Sequence, residues 1–529
     1  MQIATSSVFP GEMTFESTTQ RVPSAGAGAI AGLVAGAAAL GGAELLAGIL
    51  PGAVSPIIAV GDFVISIQPP GAKQFIVELF GEADKLLLNL FIAAVALGAA
   101  ALIGVIARLR PGAALIGYGA FGLLALGAGL RGPLAEPLVV LIVAVVAVVI
   151  AVAAFRWLIG RAAASPGPIA EMPEWGRRRF IGASIALVGA SAAGGLLGRV
   201  LSQNVPASAA PPGGIPAPVD AVPTPEPAAS LTGVPGLTPI VTANSDFYRI
   251  DTALLVPRPD MNTWRLRMRG LVDRELELAY DELLAMPLFE QYVTIACVSN
   301  EVGGGLVGNA LWRGVRLKDL FEQAGVQDTA SQVVGRSVDN FTVGFPLVHA
   351  LADGRESMVA VAMNGEPLPA NHGFPARLIV PGLFGYVSAT KWLAEIELTT
   401  WDAFDAYWVP LGWSKEGPIL TQSRIDTPHN GDRLTAGRVP IAGVAWAPDR
   451  GVRAVEIRID EGGWIEAELS SPISDATWVQ FVLHWDAAPG DHLVQVRATD
   501  GTGVVQTDQR TPPAPDGARG HHTIQVTVG

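Results

Sequence analysis

Five apolar stretches, at residues 25–50, 86–107, 113–130, 134–158 and 180–201, follow one another in the first 201 residues of this 529-residue chain. A helix rising 1.5 Å per residue needs about 20 apolar residues to match ~30 Å of hydrocarbon, and it alone satisfies its own backbone polar groups there. The N-terminal part is therefore expected to be an α-helical transmembrane bundle of about five helices, embedded in a membrane. Residues 54–67 are apolar too, but they are short and interrupted by Pro56 and Asp62, which fits an interfacial or re-entrant piece. Half of all residues are hydrophobic and 16% are charged, with a mean hydropathy of +0.40, a balance outside the range of ordinary soluble domains.

Basic residues orient the bundle. Arg108 and Arg110 follow the second stretch, Arg156 and Arg161 lie at the end of the fourth, and Arg177, Arg178 and Arg179 precede the fifth. By the positive-inside rule that face is cytoplasmic, so residues 1–24 form a cytoplasmic tail and everything after residue 201 is extracytoplasmic. Arg131 and Arg199 fall on the opposite face. The run Arg177-Arg178-Arg179-Phe180-Ile181 has a second reading as a twin-arginine export signal, a route suited to a domain that folds around a cofactor before transport. Ala207-Ser208-Ala209 is then a candidate cleavage site, and a retained anchor is the simpler expectation.

Gly28, Gly32 and Gly36 recur on one helical face and read as a close packing seam. Glu44, a carboxylate inside the first stretch, marks either a functional group or a position near the outer interface, and its closeness to Leu50 favours the interface. All seven histidines (349, 372, 429, 484, 492, 521 and 522) come after the apolar half, so the spans hold no histidine pair for a membrane haem, and no haem is expected.

Basic and acidic side chains balance in residues 1–239, so the formal charge of −13 belongs to residues 240–529. Nothing basic is clustered there to meet phosphates, which excludes nucleic acid as a partner. Residues 202–239, rich in Pro, Ala and Gly, read as a partly extended linker that holds the following body off the membrane. Residues 240–400 mix strand-like and helix-like runs into an α+β domain. Residues 401–529 carry regularly spaced short strands with turn signals at Gly462-Gly463 and Pro489-Gly490, the pattern of an immunoglobulin-like β-sandwich.

Cys297 is the only cysteine, in the strand-like run Tyr292-Val-Thr-Ile-Ala-Cys-Val-Ser-Asn300 that opens into Gly303-Gly304-Gly305. A lone thiol forms no intramolecular disulfide and is too little for a zinc or iron–sulfur site. Three readings remain from position alone: inert burial, a covalent nucleophile, or one thiolate on a metal held mostly by something else. Two further clusters bear on that choice. One is Phe247-Tyr248-Arg249-Ile250-Asp251. The other presents His372, Arg377 and Lys391 among prolines and glycines that stiffen their loops.

The pattern Asn-Gly-x-Pro-Leu-Pro, then His-Gly-Phe-Pro-x-Arg-x-x-x-Pro-Gly from His372, then Ser-x-x-Lys-Trp through Lys391, resembles the sulfite oxidase family of molybdopterin enzymes. The resemblance spans residues of about 240–525 and includes a C-terminal domain like the family's dimerisation domain. It implies a molybdenum–molybdopterin cofactor, one per chain, with Cys297 as the single protein thiolate on the metal. It further implies that His372, Arg377, Lys391, Asp339 and Asn300, with the backbone of Ala389 and Thr390, hold the pterin and its phosphate. Arg249 would stand near the cofactor and the substrate oxyanion. The implied activity is oxygen-atom transfer on a sulfur compound, small or protein-bound, with an electron-transfer partner that the sequence does not identify; a homodimer is implied by the resemblance alone.

Two departures bear on substrate. Asn300 is followed by Glu301-Val302 where sulfite oxidases proper carry arginines, and Phe341 stands where their pocket tyrosine is expected. The alternative enzyme reading is a reductase of methionine sulfoxide or another S- or N-oxide. A third is a membrane-tethered binding or scaffold protein with a vestigial metal site.

Overall fold

The computed structural model describes residues 22–68, 84–110, 112–132, 135–164, 169, 173–204, 214–352 and 354–529. Most of the expected cytoplasmic tail, the start of the fourth stretch at Leu134 and the candidate cleavage site at 207–209 lie outside the described residues. The chain divides into two compact units, one of helices up to Asn204 and one containing Val205–Gly529.

Among the described residues of the first unit, five helices are long and apolar enough to cross a membrane: Ala25–Ile49, Lys85–Ala107, Gly112–Gly129, Pro137–Ala163 and Glu174–Ser202. Their ends differ from the expected ones where the sequence offers good helix formers beyond the apolar run. The fourth starts at Pro137, whose fixed φ suits a first helical position, and continues through Arg156 and Arg161 to Ala163. The fifth begins at Glu174, so the arginine run lies in its first two turns, and Glu174 pairs with Arg178 one turn on. The short segment is a single helix, Pro56–Ile67.

Small residues let these helices approach. A Cβ on Gly28 would stand 2.8 Å from the Gly104 carbonyl oxygen, and one on Gly32 would stand 2.3 Å from that of Ala100. Gly36 meets Ala100 in the same seam. A second seam joins the first helix to the last, where Gly41 faces Ser191 and Gly48 faces Gly198. Glu44 lies in this second seam. It is buried, accepts a hydrogen bond from the Ser55 hydroxyl, and stands 3.7 Å from Arg199 Nε. Arg199 and Arg131, the two exceptions to the charge pattern, both have partners: Arg131 stacks on Phe63 at 4.8 Å.

The second unit is built on two five-stranded sheets and a β-rich C-terminal region. One sheet runs in the order Leu276–Ala279, Arg265–Gly270, Leu393–Thr399, Gln332–Ser337, Thr342–Pro346, with a parallel pair at its centre. The other orders Leu288–Ala296, Val307–Arg316, Met358–Met363 and Glu366–Pro367, with Arg377–Ile379 on Met358–Met363. The strands Leu288–Ala296 and Met358–Met363 are buried almost end to end, and Met358–Met363 reads as a continuous apolar run for that reason. Their shared core includes Trp312, Phe289, Phe345 and Met358, and it continues past residue 400 to Trp413, Ile419, Trp446 and Trp478.

The C-terminal region pairs a four-stranded sheet centred on Gly437–Trp446 with a five-stranded sheet centred on Gly490–Asp500. Alternate residues of both, among them Ile441, Phe481, Val455, Val494 and Ile524, close on one core. The proline-rich segment is no loose spacer over its described part. Asp220 bridges to Phe289, the Leu231 N–H donates to Gln480, and the Thr238 N–H donates to Asp426, which laces residues 219–239 across this unit. Apart from the short 3-10 turn Pro227–Ala229, its polar backbone finds these acceptors.

Candidate functional site

Cys297 follows the last residue of the buried strand Leu288–Ala296. The ladder to Val307–Arg316 closes there with the Cys297 N–H donating to the Leu306 carbonyl at 2.9 Å. The chain then turns: the Asn300 N–H donates to the Cys297 carbonyl at 3.1 Å, and Asn300 Oδ1 accepts the Leu306 N–H at 2.8 Å. Asn300 thus ties the two ends of the glycine loop together. The loop also rests on the C-terminal region. A Cβ at Gly303, where φ is +81°, would lie 2.2 Å from the His522 ring, and Arg424 Nη1 donates to the Gly304 carbonyl at 3.0 Å.

The segment 370–392 is linked to this thiol through Tyr248, which feels the charges of both Cys297 and Arg377. Gly373, at φ +114°, has no Cβ to strike the Lys391 Cα, which would be 3.0 Å away, so the loop carrying His372 lies directly on the bend that carries Lys391 ahead of Leu393–Thr399. His372 Nε2 lies 3.0 Å from the Asn244 carbonyl and therefore carries the proton, leaving Nδ1 as a bare acceptor. Burial first, then the charge of Arg377, push this imidazole down to about 4, so it is neutral at ordinary pH. Arg377 is buried, donates to the His372 carbonyl at 3.0 Å and lies 4.9 Å above the Trp312 ring. Burial lowers it to about 10, and it stays cationic. Lys391 Nζ donates to Asp251 Oδ2 at 3.0 Å and to the Asn371 carbonyl at 3.1 Å; burial brings it to about 8 despite the favourable Asp251 charge.

The cluster 247–251 meets these residues from a third direction. Phe247 stacks on Tyr248 at 5.3 Å and meets His372 edge-on at 5.7 Å. Tyr248 feels both Cys297 and Arg377, and burial raises its phenol well above the usual range. Arg249 Nε is 2.9 Å from Asp251 Oδ2, the same oxygen that holds Lys391. Asp339 sits in the turn after Gln332–Ser337, where its Oδ1 accepts the Phe341 N–H at 3.2 Å. Burial raises its carboxyl, and the nearby charge of Asp251 adds to the rise.

The structure therefore gathers Arg377, His372, Lys391 and Arg249 by direct contact or mutual charge, with Cys297 joining the group through Tyr248 and Asp339 through Asp251. Ala389 and Thr390 lie immediately before Lys391 and complete that wall. Asn244 and Trp312 have no part in the sequence reading, and Tyr248 and Asp251 enter it only as members of the 247–251 cluster, without roles of their own. The available signal was the compact string Phe247–Asp251, in which Asp251 stood two residues from an arginine of interest.

Three buried polar atoms here have no hydrogen-bond partner among the described residues: His372 Nδ1, Arg377 Nε and Thr390 Oγ1. Leaving a polar group both buried and unpaired costs about 1–3 kcal/mol, so three on one 19-residue stretch mark a surface shaped for a polar ligand. Among the described residues no three His, Cys, Asp or Glu side chains are grouped to hold a metal ion. A metal at Cys297 would need most of its donors from a bound group, and one acceptor, one cationic donor and one hydroxyl are in place to hold such a group. The residues fit a pterin that brings its own sulfur ligands.

Residues 253–408 match the oxidoreductase molybdopterin binding domain family. The chain is 31% identical over 323 residues to mitochondrial sulfite oxidase of Rattus norvegicus, covering 51% of this chain and 58% of that protein. It is 37% identical over 158 residues to the uncharacterized oxidoreductase YuiH of Bacillus subtilis, covering 30% of this chain and 76% of that protein. Among solved structures, the sulfane dehydrogenase SoxCD of Paracoccus pantotrophus aligns with a TM-score of 0.48 and 23% identity, over 57% of this chain and 83% of that one. The chain spans little more than half the length of the mitochondrial sulfite oxidases of Rattus norvegicus and Homo sapiens.

Proposed function

Because this chain belongs to the sulfite oxidase family of molybdopterin-dependent oxidoreductases, we propose that it is a membrane-anchored, extracytoplasmic enzyme performing oxygen-atom transfer on a sulfur compound. The observation that carries this reading is the trio of unpaired buried atoms, His372 Nδ1, Arg377 Nε and Thr390 Oγ1, on the segment whose Arg377 shares Tyr248 with the lone thiol.

In this reading Cys297 is the one protein thiolate on molybdenum. The neutral His372 ring offers its Nδ1 lone pair to a pterin N–H, while its Nε2 proton remains on the Asn244 carbonyl. Arg377 and Lys391 bind the phosphate, with Thr390 and the backbone of Ala389 on the same wall, and Asp339 accepts a pterin donor from its turn. Asn300 serves by bracing the cysteine loop. When bound, the cofactor supplies two-electron oxygen-atom exchange at a substrate lone pair, so the chain need provide no nucleophile or general base. What the chain provides is orientation, exclusion of water by the Phe247, Tyr248 and Trp312 rings, and cationic charge at Arg249 beside the site.

Five apolar helices with outward-facing Ile116, Leu123 and Leu138 support anchoring in a bilayer. The positive face at Arg108, Arg110, Arg161 and Arg177–Arg179 supports a cytoplasmic N-terminus and an outward catalytic unit. The paired C-terminal sheets are read as an immunoglobulin-like sandwich, a candidate dimerisation element. Electrons pass to or from a separate redox protein.

Metal analysis of the full chain, expressed in a host that makes the cofactor, tests the reading: about one molybdenum per chain is expected, and a value near zero would overturn it. Cys297→Ser is expected to abolish turnover with fold and export retained. Turnover of sulfite with ferricyanide, compared with turnover of methionine sulfoxide with a reduced viologen, sets the direction.

A further inference from the structure

The helical unit has a cavity of about 460 Å³ between the end of helix Pro137–Ala163 and the start of helix Glu174–Asn204. Two tryptophans and two arginines line it at matching spacing: Trp157 with Arg161 on the first helix, Trp175 with Arg179 on the second. Residues four apart share a helix face, so each arginine lies back on its own tryptophan. The Arg161 guanidinium stands 3.5 Å from the centre of the Trp157 ring, and that of Arg179 stands 5.8 Å from the centre of Trp175. Gly176 and Ala183 carry too little side chain to fill the space between them.

The charge of this cavity is unmatched. Arg161 Nη1 donates to the Trp157 carbonyl at 3.2 Å, and among the described residues neither Arg161 nor Arg179 pairs with a carboxylate. Glu174, on the same turn as Trp175, is held by Arg178 instead. A guanidinium stacked on a ring keeps in-plane N–H donors free for an oxyanion, and the ring shields one side of it from water. An anion set between the two arginines therefore relieves both their repulsion and their lost hydration. Location selects the anion. Both helices carry stretches apolar enough to span a membrane, and Trp157 and Trp175, 44% and 57% exposed, stand near their ends, where indole rings settle between hydrocarbon and water. Deeper along the same helices Val149 and Ile185 expose apolar surface suited to acyl chains.

We propose that this cavity binds the phosphodiester headgroup of an anionic phospholipid of the cytoplasmic leaflet, of the phosphatidylglycerol type, clamped between Arg161 and Arg179. The proposal rests on reading the helical unit as membrane-embedded with this end cytoplasmic, and it is independent of the chemistry at Cys297. An uncharged glycerol headgroup leaves the phosphate charge whole for the two arginines, whereas a choline or ethanolamine headgroup brings a further cation against them. Such a lipid ties the last helix, after which the chain continues into the catalytic unit, to the helix before it.

The test uses the full chain, loaded with cofactor and purified in detergent, analysed by native mass spectrometry with added dioleoyl phosphatidylglycerol, dioleoyl phosphatidylcholine or inorganic phosphate. Phosphatidylglycerol adducts are expected at concentrations about tenfold or more below those needed for phosphatidylcholine, because each interfacial arginine favours the anionic lipid. Arg161→Gln combined with Arg179→Gln should lose most of that preference. Arg156→Gln combined with Arg178→Gln, which removes the same charge from exposed positions outside the cavity, should keep it. Equal binding of the two lipids by the native chain, or an equal loss in the two double variants, would overturn the proposal. So would inorganic phosphate held as tightly as phosphatidylglycerol, which would show an anion site with no use for the membrane. If the cavity variant does not fold, the native chain decides: phosphatidylglycerol bearing a diazirine near its headgroup should label the peptides that carry Trp157–Arg161 or Trp175–Arg179, and labelling confined to other helices would sink the assignment. A chain that stays in solution without detergent would remove the membrane reading itself, whereas a detergent-requiring chain with no lipid preference would remove only the lipid site.

Discussion

His522 illustrates how one side chain links distant parts of the molecule. Its Nδ1 accepts the Ile425 N–H at 3.0 Å, its ring lies against Gly303, and burial followed by the Arg424 charge lowers it to about 4. The folded value is below the unfolded one of about 6.5, so between those two pH values the unfolded chain binds more protons and stability falls as pH falls. Protonation would also set an N–H against the Ile425 N–H. His522→Gln is expected to flatten the loss of thermal stability between about pH 6.5 and pH 4, by on the order of 1–2 kcal/mol, as measured by calorimetric melts across that range. Gly373→Ala should cost more than a surface change, about 1–3 kcal/mol, and should lower the bound molybdenum, because the new Cβ would stand 3.0 Å from the Lys391 Cα at a φ of +114°. Melting and metal content together check it. The candidate residues Cys297, His372, Arg377 and Lys391 stand out in the sequence because they are packed into short ordered motifs. Asp251 and Tyr248 were not, since their importance arises only when residues 247–251 fold beside a segment more than a hundred residues away.

At the scale of elements, the apolar runs announced the helices but not their ends. Hydropathy stops where charge begins, whereas helix formation continues through Arg161 and backward from Phe180 to Glu174, because arginine and glutamate are good helix formers. The Gly28, Gly32 and Gly36 seam was readable from its spacing. The second seam was not, because its glycines are spread over two helices separated by more than a hundred residues. A Cβ on Gly198 would lie 2.1 Å from the Glu44 carbonyl oxygen. Gly198→Leu is therefore expected to part the first helix from the last, to expose the Glu44–Arg199 pair, and to lower the melting temperature of the helical unit in detergent. The molybdenum content should stay unchanged, and a variant that melts like the native protein would show the seam to be unimportant. The proline-rich stretch misled in the other direction: a composition that cannot form a core can still be laid over one, and its hydrogen bonds to Gln480 and Asp426 are invisible to any local reading.

For the whole molecule, a first stretch of 239 residues with balanced charge and a following stretch, residues 240–529, of charge −13 predict a clear division of behaviour. The full chain should remain with membranes through an alkaline carbonate wash, and a periplasmic reporter fused after Gly529 should be active. An active cytoplasmic reporter at the same place would reverse the topology. The arrangement of the Cys297 loop carries one more implication. Gly303 is seated under His522, and the Gly304 carbonyl is held by Arg424, so the C-terminal region is a sculptor of the reaction centre as well as a neighbour of it. Such a region is not an interchangeable cassette. A lineage that discarded it would have to rebuild the loop bearing Glu301, and a chimera that swapped it would inherit a different substrate range along with a different surface.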